Sequence, residues 1–308
     1  MYQIQGNNIN EIQTEIYRIL SKKGSLITVR NQKTLELYPL MIRLTNINNR
    51  CTTIKNRNWN LVFAIGEFAW HMAGSECLDF INYYSSNWRK ISDDGLLISE
   101  SCYGSKLFHQ SSNWTSLINE LRLDRYSRRA VINLYDSESL GLKKLDVACT
   151  VSLQFLIRNN KLDLITTMRS NDLVWGLPND IFFFTMLQEI LALELGIDKG
   201  DYYHQVASLH IYEKHFNLME AINSDPVFFE FEMPEMSDIV TLKEFVEKES
   251  IIRNTSNIDI SLDSIYWNNL LSILKLKAIE YSDLIFNQIL LSSPYKDVLK
   301  LCPQKYFE

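Results

Sequence analysis

The chain predicts a mixed α/β fold, and three observations carry that reading. Residues 26–45 (LITVRNQKTLELYPLMIRLT) hold β-rich, partly alternating runs, and DVACTVSLQFLIRNNKLDLITTMRS reads as two strands joined by an Asn-Asn turn at 159 and 160. By contrast NLVFAIGEFAWHMAG (60–74) and DIFFFTMLQEILALELG (180–196) are helix-length and apolar, and each ends at glycine, a common residue just past a helix end. With 308 residues, 46% of them hydrophobic and 12% aromatic, the chain can bury a large core.

The elements follow in order. The start, MYQIQGNNINEIQ, is polar and lacks the apolar stretch of a secretory leader. Strands are expected over 26–45, a helix over 60–74, a strand in AVINLYD, the hairpin around Asn159-Asn160 and a second helix over 180–196. Past about residue 235 the texture turns helical. Thr241-Leu-Lys-Glu244 has capping-box spacing before FVEKESII, and SIYWNNLLSILKLKAIEYSDLIFNQIL carries apolar positions at helical intervals. Ten glycines and six prolines are too sparse to mark a linker, so one domain is expected, with a core over about 1–235 and a helical extension over about 236–308.

A formal charge of −6 argues against a surface built for a polyphosphate backbone and leaves room for a local basic pocket that takes one small phosphate. Cys51, Cys77, Cys102, Cys149 and Cys302 are odd in number and contain no CxxC pair, which fits reduced thiols in a cytoplasm. No uncharged apolar run approaches the roughly 18 residues of a membrane span. A soluble cytoplasmic protein is expected.

Several residues invite a chemical reading beside a plain one. Glu67 lies among apolar neighbours, either on a narrow exposed stripe or buried as a proton-handling group. Cys149 is either a small buried hydrophobe or a nucleophile, and Arg169, in the next strand across the turn, could stabilise its thiolate. Arg128-Arg129 is solvated surface or a phosphate clamp, since guanidinium grips phosphate in bidentate fashion. His210 and Tyr212 share a face if SLHIY is a strand, where they could hydrogen-bond a sugar hydroxyl or cap a sheet edge. Asp180 directly precedes IFFFTMLQEI, where an aspartate would cap a helix.

Together these segments resemble the thymidylate synthase family, including its cytidylate hydroxymethylase branch. The resemblance runs from about residue 57 to 216 and rests on RNWNLVFAIGEFAWHMAG, SCYG, the SRR pair, CTVSLQF, MRSNDLVWGLPND and HIYEKH. It implies a large mixed twisted sheet packed with helices, a homodimer joined through a sheet face, and no metal. Cys149 then matches the thiolate that adds to C6 of a pyrimidine, and C5 attacks the methylene unit of methylenetetrahydrofolate. Glu67 matches the carboxylate that handles protons near the base, and Tyr103 a tyrosine of the same pocket. Arg169 and Ser170 match phosphate ligands, as does Arg30 in the strand-rich start. Asp172 matches a backbone-facing aspartate near base and folate, Trp88 a folate-side residue, and His210 and Tyr212 the ribose contacts. Arg128 and Arg129 match the pair that crosses the twofold to the partner's nucleotide phosphate.

The resemblance also gives Asp180 a sharper role. In thymidylate synthases this position is asparagine, which accepts from uracil N3–H and donates to O4. Cytosine reverses that pattern. An aspartate can accept from the 4-amino group and share a proton with N3, and a mismatch in a desolvated pocket costs on the order of 1 to 3 kcal/mol per unsatisfied group. The chain departs from the usual pattern at Val147 and Ala148, where prolines are expected, at Thr150, at Ser208 and in its ending LKLCPQKYFE, which does not resemble the tail that closes over folate. Aspartate and tail both point to hydroxymethylation of dCMP or CMP. The alternatives are a methylase or hydroxymethylase acting on dUMP or UMP, and a non-catalytic nucleotide-binding regulator.

Overall fold

The computed structural model describes residues 1–109, 113–279, 286–287, 289 and 293–301. The chain opens with β1 (Tyr2–Gly6) and α1 (Ile9–Lys23), two elements not read from the sequence. Isoleucine at 9, 12 and 16 with Leu20 forms a buried stripe on α1, and Asn8 caps it by accepting from the Glu11 amide at 2.9 Å. The 26–45 region splits into β2 (Ser25–Val29), β3 (Gln32–Leu37) and β4 (Leu40–Leu44), with Arg30 and Asn31 in left-handed conformation at the β2–β3 turn. Then come α2 (Leu61–Ala73), α3 (Leu78–Tyr84), α4 (Asn113–Leu123) and β5 (Val131–Asn133).

The expected hairpin is present as β6 (Thr150–Arg158) and β7 (Lys161–Met168). Its two-residue turn holds Asn159 at φ 51 and Asn160 at φ 63, the left-handed pair that asparagine tolerates and a tight hairpin needs. After β8 (Asn171–Asp172), α5 (Leu177–Leu195) begins three residues before Asp180, because Pro178 fits the first helical turn without a missing bond. β9 (Asp198–Val206), β10 (Leu209–Tyr212) and α6 (Phe216–Ser224) follow, then α7 (Leu242–Thr255) and α8 (Ile265–Ala278). Both α2 and α5 end at the expected glycines, Gly74 at φ 60 and Gly196 at φ 63. The capping box does not form. Thr241 is itself in helical conformation with no side-chain cap, and its amide donates to Asp238 at 2.9 Å. Much of the apolar run beyond Ile279 lies outside the described residues, as does the chain from 302 on.

The chain divides into two compact units, one of residues 1–59, 117–135 and 149–233, the other of residues 60–116, 136–148 and 234–308. The first holds both sheets. Six strands run in the order β1-β4-β9-β7-β6-β5, mixed in direction, with β1 parallel to β4 and β7 parallel to β9. Four shorter strands run β2-β3-β10-β8. One face of the larger sheet is fully covered: Ile42, Phe155, Leu164, Met168, Tyr202 and His204 are buried, and α5 packs on β7 and β9. The alternate residues, among them Gln154, Leu156, Ile165, Tyr203 and Gln205, stay partly exposed on the opposite face. Within this unit Glu189 of α5 is buried and receives Arg50 and Lys199, so its charge is matched.

The second unit is helical. α7 and α8 pack on α2 through Phe68, which stacks on Trp267 at 6.1 Å and meets Phe245 at 6.4 Å. The helical extension is thus core to this unit. Tyr84 of α3 donates to the buried Glu249 of α7 at 2.7 Å. Among the described residues no helix is long and apolar enough to cross a membrane.

Candidate active site

The β6–β7 hairpin positions the sulfur. Cys149 immediately precedes β6, Arg169 immediately follows β7, and the Arg169 amide donates to the Cys149 carbonyl at 3.0 Å. That rung brings Arg169 Nη2 to 3.7 Å from Cys149 Sγ, a fixed positive charge beside a partly exposed thiol. Cys51 and Cys102 are buried, which pushes each thiol up to about 12. Ser170 is half-buried next to Arg169.

The smaller sheet brings the next residues together. His210 pairs in register with Asp172, and His210 and Tyr212 share a face with their rings 5.1 Å apart and perpendicular. Asp172 Oδ1 accepts from the Val174 amide at 2.7 Å and the Trp175 amide at 3.3 Å, so the carboxylate shapes the loop that leads into α5. Tyr212 has its phenol raised by burial and by the charges of Asp172 and Cys149, with Arg30 acting the other way. One electrostatic neighbourhood therefore joins Arg30, Cys149, Asp172 and Tyr212, drawn from four separate segments. Ser208, where the family pattern has aspartate, donates to Glu36.

Asp180 does not cap α5. It lies in the first helical turn, its own amide bonded to Gly176, and its carboxyl accepts from Asn171 Nδ2 at 2.6 Å. The residue keeps a window to solvent but is packed round by protein, and this desolvation pushes its carboxyl up to about 7, with the Asp172 charge adding to the shift. Asn171 Oδ1 meets His204 Nε2 at 3.2 Å, and His204 Nδ1 meets the Tyr202 hydroxyl at 2.7 Å. Asn171, Tyr202 and His204 were not singled out in the sequence. The available signal was a histidine at an inward position of an alternating strand. Arg128 and Arg129 are exposed beside the edge strand β5, with the Arg128 carbonyl accepting from Gln154.

Three sequence candidates belong to the helical unit. Glu67 is half-buried in the middle of α2, so it is neither on an open stripe nor fully enclosed. Tyr103 is buried and stacks flat on His71, with ring centroids 5.2 Å apart and an interplanar angle of 6°. Burial drives the His71 imidazole down to about 3, so it is neutral. Trp70 joins the same stack at 4.6 Å from His71 and meets Trp88 edge-on at 5.0 Å. The glycine of SCYG has a steric cause: a Cβ on Gly104 would lie 1.6 Å from the His71 carbonyl oxygen. Among the described residues no cluster of three His, Cys, Asp or Glu could hold a metal ion.

Comparison with known proteins places these residues in a context. A family profile described as thymidylate synthase matches residues 13–245. A deoxyuridylate hydroxymethyltransferase of Bacillus phage SP01 is 31% identical over 227 residues, covering 69% of this chain and 59% of that protein. Thymidylate synthase 1 of Bacillus spizizenii is 23% identical over 247 residues, 77% of this chain and 86% of that protein. The structure of thermostable thymidylate synthase A from Bacillus subtilis shares the fold with a TM-score of 0.62 at 21% identity, over 72% of this chain and 86% of that one. The chain spans about half to three fifths of the length of the phage deoxyuridylate hydroxymethyltransferases it matches.

Proposed function

The chain belongs to the thymidylate synthase family, and on that premise we propose that it transfers a one-carbon unit to C5 of a cytidylate, dCMP or CMP, giving a 5-hydroxymethyl nucleotide. The observation that carries the reading is Asp180, a carboxyl in the first turn of α5 that accepts from Asn171 Nδ2 at 2.6 Å and that burial raises to about 7. The family's asparagine at this position donates to O4 of uracil. The carboxylate form of Asp180 is an acceptor for the cytosine 4-amino group, and the acid form offers a proton to N3.

In this reading Cys149 Sγ adds to C6, helped by the Arg169 charge at 3.7 Å. Electron density moves toward N3, where the Asp180 proton stabilises it, and C5 becomes nucleophilic. When bound, methylenetetrahydrofolate supplies the methylene unit. Within the helical unit Trp88 and Glu67 would hold it, an aromatic face and a carboxylate that suit a flat heterocycle rich in N–H donors, and the family resemblance assigns Asp172 of the other unit to the same cosubstrate. Arg169, Ser170 and Arg30 take the phosphate, and His210 with Tyr212 the sugar. Glu67 assists addition of water, and Tyr103, stacked on His71 in the same helical unit, takes the catalytic role that the resemblance gives it. The partly exposed sheet face with Gln154, Leu156, Ile165 and Tyr203 is assigned to a homodimer interface, across which Arg128 and Arg129 reach the partner's nucleotide. Cys51, Cys77, Cys102 and Cys149, all thiols, fit the reducing cytoplasm proposed as its location.

A second reading is a uridylate hydroxymethylase or thymidylate synthase, favoured by the phage relatives described as deoxyuridylate hydroxymethyltransferases. Incubation with dCMP, CMP, dUMP and UMP in turn, with methylenetetrahydrofolate, separates the two. Mass spectrometry should find 5-hydroxymethyl product from a cytidylate. Product from dUMP alone, or dihydrofolate formed with dUMP, contradicts the cytidylate reading. No turnover of any of the four favours a nucleotide-binding regulator.

A further inference from the structure

A carboxylic acid cannot by itself tell cytosine from uracil. Cytosine offers an acceptor at N3 and a donor at the 4-amino group, and uracil offers a donor at N3 and an acceptor at O4. A proton that moves freely between the two carboxyl oxygens satisfies either base. Discrimination requires that one named oxygen hold the proton.

We propose that Tyr202, His204 and Asn171 form a one-way hydrogen-bond relay that fixes which oxygen of Asp180 carries the proton, and so makes position 180 selective for one base. The clause naming that base as cytosine rests on the function proposed above; the relay itself rests on its own geometry. Its direction is dictated at every link. Asn171 Nδ2 is an amide nitrogen, so at 2.6 Å from Asp180 Oδ2 it donates and the carboxyl oxygen accepts. The Asn171 Oδ1 atom must then accept, and its partner at 3.2 Å is His204 Nε2, which therefore carries the hydrogen. Buried His204 is neutral, so Nδ1 holds only a lone pair and accepts from the Tyr202 hydroxyl at 2.7 Å. Tyr202 and His204 are completely buried, on the covered face of the six-stranded sheet, and Asn171 is 3% exposed. Their burial keeps bulk solvent from reversing the chain.

The oxygen that receives the Asn171 hydrogen bond serves as the carbonyl oxygen of the neutral acid, because a carbonyl oxygen accepts better than a hydroxyl. The proton then sits on Oδ1. With Oδ1 turned to N3, as the cytidylate reading has it, Oδ1–H meets N3 of cytosine and the second lone pair of Oδ2 takes the 4-amino hydrogen. Uracil would then need the proton on Oδ2, which the relay opposes. With Oδ1 turned to the exocyclic group the same fixed proton matches uracil. If the relay is cut at His204, nothing holds the Asn171 amide in place. The Asp180 proton can then sit on either oxygen, and the opposite base is admitted as well.

The test is the ratio of kcat/KM for dCMP to that for dUMP, measured on wild type, Tyr202→Phe and His204→Phe with circular dichroism as the fold control. A residue with only a structural role lowers both values and leaves the ratio alone. The relay predicts that the ratio moves toward one, by about tenfold in His204→Phe and by severalfold in Tyr202→Phe. Should His204→Phe fail to fold, Tyr202→Phe, which removes a single oxygen, decides the matter. An unmoved ratio in a folded, active variant overturns the relay whatever base the wild type prefers. A wild type that prefers dUMP, with ratios that still move toward one, overturns the cytidylate reading and keeps the relay.

Discussion

Arg169 Nη2 stands 3.7 Å from Cys149 Sγ, and the Arg169 amide binds the Cys149 carbonyl at 3.0 Å across the end of the β6–β7 hairpin. The charge is therefore held by the sheet itself, not by a flexible loop. Iodoacetamide followed by peptide mass spectrometry should label Cys149 and exposed Cys77 rapidly and leave Cys51 and Cys102 untouched, since burial pushes those two thiols up to about 12. Arg169→Ala should slow labelling of Cys149 by about tenfold or more, because it removes the cation beside the sulfur that favours the thiolate. Cys77 is the internal control, and equal slowing at both sites contradicts the assignment.

Gly104 approaches the backbone of α2 so closely that no side chain fits, with 1.6 Å between an added Cβ and the His71 carbonyl oxygen. Backbone cannot swing aside as a flexible side chain can. Gly104→Ala should cost about 3 kcal/mol or more in urea unfolding, and it should disturb the Tyr103–His71 stack, seen as a change in near-ultraviolet circular dichroism. A variant as stable as wild type would show that the chain takes another path there.

Trp267 of α8 anchors the C-terminal helices. It meets Phe68 of α2 and Phe245 of α7, and its indole N–H donates to the Asp238 carbonyl at 2.8 Å. Trp267→Ala should destabilise the protein by about 3 to 5 kcal/mol. A loss below about 1 kcal/mol in chemical unfolding would contradict the core role given to the extension.

Two opposite pH effects follow from burial. His71 and His204 are held neutral, each pushed down to about 3, so the unfolded chain binds their protons first as pH falls from about 6.5. They make wild type lose stability between about 6.5 and 3. Asp180 runs the other way. Its carboxyl is raised from 3.8 to about 7, so its contribution is fully present below about 4 and is lost as pH rises through 7. Asp180→Asn removes that loss. Thermal melts from pH 4 to pH 8 should show the variant gaining on wild type as pH rises, and a constant gap between them would contradict a raised carboxyl.

Local signals made much of the fold legible. Alternation marked β6 and β7, two asparagines marked their turn, and glycines marked the ends of α2 and α5. β1 and α1 escaped because polar residues dominate the first eight positions, and β1 is secured by parallel pairing to β4, a distant segment. The candidate site was legible where residues sit on one hairpin, as with Cys149 and Arg169. Its deeper part was not. Asn171, His204 and Tyr202 act on Asp180 only after β8, β9 and α5 are brought together, and no spacing along the chain encodes that. Asp180 was also open to reading as a helix cap, since sequence alone does not show that α5 begins at Leu177.

The central claim is that Cys149 adds to a pyrimidine whose amino edge is read by Asp180. Release of tritium from C5-labelled dCMP and dUMP, with tetrahydrofolate present, tests it directly, because the C5 hydrogen exchanges only while sulfur is bonded to C6. The account predicts release from dCMP well above dUMP in wild type, none from either in Cys149→Ser, and a reversed preference in Asp180→Asn. Release from dUMP above dCMP in wild type, or release that survives the loss of the Cys149 thiol, would contradict it.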